Sequence, residues 1–207
     1  MKKFVYAAVL AVSSIVSAHA DTITGLVNTG AGASGTADTS YVLNGNTTGY
    51  VTQDNVWPIG PWVANSATSK WITPTLNQGE SFDASSNGTY TWTLSFDLSG
   101  YNPATASFSG QFAADNAATV SLNGNTIGTS GGFSSFSSFA ASSGFVAGVN
   151  VLSFVVTNVA QNGGNPTGLR AEFLASSVTA VPEPETYAML LAGLGLMGAV
   201  ARRRKQA

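Results

Sequence analysis

The chain has 207 residues, of which 44% are hydrophobic and only 9% charged. That is room for one domain of ordinary size, and the sparse charge excludes a coiled coil or a charge-rich disordered protein. Six of the eight Lys and Arg residues stand at the two ends (Lys2, Lys3 and Arg202 to Lys205), which leaves Lys70 and Arg170 against eight carboxylates between residues 21 and 180, a net charge of −6. This balance excludes a basic nucleic-acid binder, and no nucleic-acid partner is expected.

The N-terminus reads Met1-Lys2-Lys3, an apolar run from Phe4 to Val16, then Ser17-Ala18-His19-Ala20. A basic start, an apolar stretch and small residues at Ala18 and Ala20 make a secretory signal over residues 1–20. Signal peptidase is then a partner, and the mature chain starts at Asp21. His19 is the only histidine and there is no cysteine. A mature body without either has no Ser-His-Asp or Cys-His catalysis, no disulfides and none of the usual zinc sites.

From Thr22 to Ser40 the chain is rich in Gly and Ser and poor in large side chains. It reads as an edge strand with loose loops, or as a flexible arm over 21–40. Short strand pieces follow at Tyr41-Val42-Leu43 and at Val63. Trp57, Trp62 and Trp71 lie close together among Pro58, Pro61 and Pro74. Exposed, they would form an aromatic platform for sugar rings; buried, they would be core or the rim of a sandwich.

Period-2 alternation is clearest from Thr89 to Leu98, where Tyr90, Trp92, Leu94, Phe96 and Leu98 share one face and predict a half-buried strand. A turn at Gly100 to Pro103 leads into Ala106, Phe108, Gly110 and Phe112, expected as the antiparallel partner or a near neighbour of that strand. Thr119 to Leu122 meets Asn123-Gly124, a dipeptide suited to the type I′ hairpin turn, with Asn125 to Gly128 returning. Phe133, Phe136 and Phe139 recur every third residue and suggest a short helical turn lying on the core. Leu152, Phe154 and Val156 alternate again, and Leu169 to Leu174 reads as the last strand. Ala175 to Val181 reads as a linker.

These cues predict an all-β fold, an antiparallel β-sandwich over 21–176. Nothing in the spacing implies a cofactor or a metal site. Asp97, Asp115 and Asn116 near strand ends, and Asp54, are the candidate ligands of a structural calcium, with turn capping by the same side chains as the alternative. The eight carboxylates stand in no catalytic context that the sequence reveals, and the chain is not expected to be an enzyme.

The tail, residues 177–207, opens with Val181-Pro182-Glu183-Pro184-Glu185-Thr186. An apolar run from Tyr187 to Ala201 and then Arg202-Arg203-Arg204-Lys205 follow. The apolar run is about fifteen residues, roughly 22 Å as a helix against a hydrocarbon core of roughly 30 Å, so it is expected as a short, marginal transmembrane helix. The basic cluster would remain on the cytoplasmic side.

In this order of parts the tail resembles the PEP-CTERM protein-sorting domain of bacteria. Pro182, Glu183 and Pro184 match the motif, Leu190 to Leu196 the Gly- and Leu-rich helix, and Arg202, Arg203 and Arg204 the basic stop. The resemblance implies processing by an exosortase-type enzyme, transient anchoring in the inner membrane, and delivery to the cell surface, outer envelope or extracellular matrix, with an exopolysaccharide as a candidate partner. Within the body, four stretches resemble a jelly-roll module of the galactose-binding type, as found in carbohydrate-binding modules. They are Ser95 to Leu98, Phe112 to Asn116, Val120 to Gly124 and Phe145 to Leu152. Together the resemblances imply an exported structural or adhesive protein. A carbohydrate-binding module with a defined sugar site is the alternative, and a small exported hydrolase the second alternative.

Overall fold

The computed structural model describes residues 20–181 and 184–206. Residues 1–19, expected as a signal and including Ala18, lie outside the described residues, as do Pro182 and Glu183. Eleven strands precede one helix: β1 (Ala20–Asp21), β2 (Ala37–Leu43), β3 (Thr47–Val51), β4 (Ile72–Thr73), β5 (Gly88–Asp97), β6 (Tyr101–Asp115), β7 (Ala117–Leu122), β8 (Asn125–Ser130), β9 (Ser137–Ala141), β10 (Val149–Asn158), β11 (Gly168–Ala180) and α1 (Pro184–Gln206). All strand pairs are antiparallel, in the order β8-β7-β10-β5-β2-β3-β4-β11-β6-β9, with β1 on β11.

Alternation makes the core. Trp92, Leu94 and Phe96 of β5 and Leu152, Phe154 and Val156 of β10 point inward, and the two strands pair without a break from Gly88↔Asn158 to Asp97↔Val149. The other half of the sheet, β6, β9 and β11, folds over them. Phe108 meets Phe96 edge-on at 6.4 Å, and Phe112 meets Phe154 at 5.8 Å. Edge-to-face packing of this kind adds to what area burial alone provides. Gly110 is what lets β6 approach β9, since a Cβ there would lie 2.4 Å from the Phe139 ring and 2.5 Å from the Glu172 carbonyl oxygen. The result is the expected antiparallel sandwich, closed enough at one side to resemble a barrel.

The Asn123-Gly124 turn forms as expected, with φ of 49° and 86° joining β7 to β8. Four expectations are corrected. β6 is not the partner of β5; it pairs with β11 and β9 and faces β5 across the core. Its strand begins at Tyr101, so Pro103 lies inside it, in the stretch between Asn102 and Ser107 where the pairing with β11 shifts register. A proline is tolerated there because no ladder hydrogen bond is asked of it. The segment holding Phe133, Phe136 and Phe139 is no helical turn. Phe139 sits in strand β9 facing the main core, while Phe133 and Phe136 reach over the outer face of the sheet to a second cluster. Ala175 to Ala180, read as linker, continues β11 between β1 and β6.

Residues 21–40 are ordered rather than a loose arm. The Thr29 N–H donates to the Ala171 carbonyl at 3.1 Å, and the buried Asp38 carboxylate accepts from the backbone N–H groups of Gly30, Ser40 and Tyr41. Val63, expected in a strand piece, lies in the loop between β3 and β4.

Candidate functional site

The stretch from Thr52 to Trp71, between β3 and β4, carries almost no regular structure. A loop of that length inside a compact domain is uncommon and usually functional. It folds back over the outer face of β6 and β11 and builds a small core of its own. Trp62 and Trp71 stack with ring centroids 4.2 Å apart, on Ala113 and beside Ile59, Val63, Phe133 and Phe136. Both indoles are hydrogen-bonded: Trp62 Nε1 donates to Asp115 Oδ2 and Trp71 Nε1 to the Val63 carbonyl, each at 2.8 Å.

Beside this cluster lies the one ion pair of the described residues, Arg170 Nη2 to Glu172 Oε1 at 2.9 Å. Both residues are on the outer face of β11, buried under the loop. Arg170 also donates to Ser69 Oγ, Ser66 Oγ and the Ala64 carbonyl, and its guanidinium lies over the Phe136 ring at 4.9 Å. Ser69 Oγ and Gln111 Nε2 in turn donate to Glu172. Burial pushes the Glu172 carboxyl up, but these donors and the guanidinium outweigh it and hold the group below the usual carboxylate range. Burial lowers the Arg170 value, with Glu172 opposing; an arginine so surrounded stays charged. Arg170 is therefore a clamp that fastens the loop to β11.

Asp115 is the second buried carboxyl of this layer. Burial pushes it up to about 6, against a lowering contribution from the Trp62 indole, and its Oδ1 has no hydrogen-bond partner. One carboxyl raised and another lowered is the pattern by which hydrolytic pairs divide acid and nucleophile roles. The geometry here does not provide such a pair. Asp115 pairs with Gly168 and Gln111 with Glu172 along one ladder, so the two carboxyls stand four residues apart. That is about 13 Å at ~3.3 Å per residue, beyond the roughly 5–9.5 Å that glycosidases use. Both are also covered by the loop.

Of the three tryptophans expected as a platform, two are thus inside: Trp62 is 2% exposed and Trp71 fully buried. They are corrected from candidate sugar contacts to the core of the loop. Trp57 is 51% exposed. It is held, not dangling. Its Cδ1 lies against Gly79, where a Cβ would be only 3.0 Å away. The Gln78 amide donates to the carbonyls of Val56 and Trp57 at 2.9 and 3.2 Å and accepts from Gln53 N–H at 2.7 Å. Val56 and Leu76 are exposed in the same pair of loops.

The loop containing Gly79 is anchored further by Asn165 and Asp83. Asn165 exchanges backbone and side-chain hydrogen bonds with Phe82, and Asp83 Oδ2 accepts from Tyr90 and Asn158. Burial and that carboxylate raise the Tyr90 hydroxyl above its ordinary range. Gln78, Asp83 and Asn165 carry this scaffold and have no sequence signature beyond being polar residues in loops; each becomes legible only when its partners are placed.

The calcium candidates do not converge. Asp97 closes β5 at one end of the sandwich, while Asp115 and Asn116 lie at the other. Asp97 Oδ1 accepts from both the N–H and the hydroxyl of Ser99 at 2.8 Å, which lowers its pKa, and Asn116 Oδ1 accepts from Val159 N–H. Asp97 does the turn capping that was the alternative, while Asn116 braces the end of β10 from a distant part of the chain. Asp54 Oδ1 accepts from Asn65 Nδ2 at 2.9 Å. Among the described residues no group of three His, Cys, Asp or Glu side chains could hold a metal.

At the opposite end the chain passes from β11 into the tail with little slack. Val181 N–H still bonds the Gly100 carbonyl, and Pro184 already opens α1, a position that suits proline because its missing N–H is not needed in the first turn. Arg202, Arg203 and Arg204 are exposed near the end of the helix, where cations interact favourably with the helix dipole. Among the described residues no helix is long and apolar enough to cross a membrane. The expected transmembrane helix therefore exists as a helix but falls short as a span.

Residues 180–205 match the PEP-CTERM protein-sorting motif. The tail is thus a sorting signal, and the motif implies export, sorting at a membrane and processing by exosortase. It accounts for the tail and leaves the body outside the match. Among solved structures, the chain is similar to a PA14 sugar-binding domain from an RTX adhesin (16% identity, TM-score 0.28, covering 48% of this chain and 56% of that one). It is also similar to a family 35 carbohydrate-binding module from an environmental isolate (14% identity, TM-score 0.28, covering 49% and 76%). The chain spans little more than half of the first. No curated protein matches it.

Proposed function

We propose that the chain is an exported adhesive or structural protein of the cell surface or extracellular matrix, with the loop surface around Trp57 as its point of contact. The ligand class we assign is extracellular polysaccharide. What supports the reading is one pairing: a sorting motif on residues 180–205 and, away from it, an indole that is half exposed yet fixed by Gly79 and Gln78. A rigid aromatic face gives a sugar ring a stacking surface at little entropic cost. With only Lys70 and Arg170 against eight carboxylates, the body suits a neutral polymer better than an acidic one.

The test is retention of the protein on immobilised neutral and acidic polysaccharides, with Trp57→Ala as comparison. Binding to a neutral polymer that Trp57→Ala abolishes supports the reading. Equal retention of both proteins removes Trp57 as the contact, and no retention on any polymer leaves a structural protein without a glycan site. The hydrolase alternative finds no support in the Asp115 and Glu172 geometry.

A further inference from the structure

The described body begins at Ala20 and ends at Val181 on the same edge. Ala20 and Asp21, at the expected signal cleavage point, pair with Thr179 and Val178 at the end of β11, and the tail departs from Val181, directly after the same strand. The surface around this exit is continuous through backbone hydrogen bonds, Val181 N–H to Gly100 and Leu98 N–H to Gly148. It exposes three valines: Val149 at 63%, Val181 at 53% and Val146 at 47%. The backbone that carries them is held by hydrogen bonds. The Asn150 side chain ties Val146 to β10 by accepting from its N–H and donating to its carbonyl, and Asn123 braces Val151 N–H.

We infer that this end of the body is a lipid-contact surface, seated on the bilayer while the chain is sorted. The inference rests on the reading of the tail as a membrane-sorting signal and adds where the body sits. Three observations select lipid as the occupant. The tether from Val181 to Pro184 is three residues, at most about 10 Å fully extended. The apolar run of α1 is shorter than a hydrocarbon core, and a short helix draws what is attached to it towards the interface. The expected signal cleavage point at Ala20 and the start of the tail at Val181 lie on one rim, so the chain meets the membrane at this rim both before and after the signal is removed. Asp21 and Asp97 are the acidic groups on this rim, with no Lys or Arg of the body beside them, so the contact is apolar rather than an attraction to anionic headgroups.

The test uses the full chain, which contains no cysteine, with one cysteine introduced at a time and labelled with an environment-sensitive fluorophore. Val146→Cys and Val149→Cys report on the rim, Leu76→Cys on the loops that carry Trp57. Each protein is mixed with vesicles of phosphatidylethanolamine containing a minority of phosphatidylglycerol, floated, and probed with aqueous iodide and with lipids spin-labelled at a shallow depth.

The expected result is flotation of all three. Iodide quenching should fall several-fold, and spin-label quenching should appear, at positions 146 and 149 but not at 76. The double variant Val146→Asp, Val149→Asp, with unchanged circular dichroism, should partition about tenfold less, a modest free-energy change on the scale of binding equilibria. Flotation with the rim labels as open to iodide as position 76 overturns the lipid contact and leaves the tail reading standing. Rim labels protected equally without vesicles mean contact between copies of the chain, and also overturn it. Failure to float overturns the tail reading together with this one.

Discussion

The two ends of the sandwich, about 30 Å apart along a ten-residue strand at ~3.3 Å per residue, expose apolar side chains by different means. At the tail end, Val146, Val149 and Val181 stand at strand ends and tight turns and are placed mainly by the backbone ladder and by two asparagines. At the loop end, Trp57 is placed by side chains: Gln78 holds its backbone carbonyl, and the stacked Trp62 and Trp71 and the Arg170 clamp hold down the same loop. A ladder fixes its neighbours at no extra cost in ordering. A long loop must bury something of its own to stay in place, because each ordered residue loses conformational entropy. The loop end accordingly holds buried charge and two stacked indoles, and it is where substitutions should do most.

The largest expected effect is at that private core. Trp71→Ala removes a fully buried indole and should destabilise the protein by about 3–5 kcal/mol in chemical denaturation. If the loop opens without the sandwich, denaturation will instead split into two transitions. A loss below about 1 kcal/mol would mean that the loop contributes nothing to the body's stability.

Next is the clamp. Arg170→Ala leaves Glu172 charged, buried and without its cation, at a cost of about 3 kcal/mol or more. Arg170→Ala with Glu172→Gln should recover part of it, because the stranded charge is gone. If the double variant is no better than the single, packing of the guanidinium on Phe136 and the loop carbonyls is the dominant contribution.

Asp115 should produce a pH dependence with a sign opposite to that of Glu172. Its folded pKa of about 6 lies above the ordinary 3.8. Below pH 3.8 both states are protonated and stability is complete. Between 3.8 and about 6 the unfolded chain ionises first, so stability falls as pH rises, by about 2–3 kcal/mol in all. Glu172, held below its usual range, loses its contribution as pH falls. The difference between wild type and Asp115→Asn isolates the first effect: the two stability curves should diverge across pH 4–6 and run parallel above it. Parallel curves throughout would mean that Asp115 titrates normally.

The smallest effect on stability belongs to Trp57. Half exposed, its replacement by alanine should cost well under about 1 kcal/mol, while polysaccharide retention is lost. That separation of stability from binding sharpens the contrast with Trp71, whose loss should affect binding only by loosening the loop. Equal destabilisation by the two substitutions would erase the distinction between a core indole and a displayed one.

Sequence reasoning reached the strands where one face is apolar and the other polar, because alternation is a local signal that survives any topology. β5, β10 and the Asn123-Gly124 hairpin are cases of this. It did not reach the pairing of β6, since a strand with an apolar face is equally content beside β5 or opposite it. Ala175 to Ala180 looked like linker because small and polar residues carry little alternation; they are strand because β1 and β6 flank them and satisfy their backbone. The three loop tryptophans look alike in sequence, and their fates differ by what folds over them.

The sequence by itself determined the all-β character, the absence of thiol chemistry, and the sorting tail, each of which depends on residue identity or near neighbours in the chain. Only the tertiary structure decided that Trp62 and Trp71 are core while Trp57 is displayed. It also decided that Asp97 and Asp115 are too far apart to share a cation, and that Ala20 and Val181 lie on one rim. Burial and proximity are properties of contacts between residues distant in sequence, such as Trp62 with Asp115 or Ser69 with Glu172, and no local pattern encodes which of them will meet.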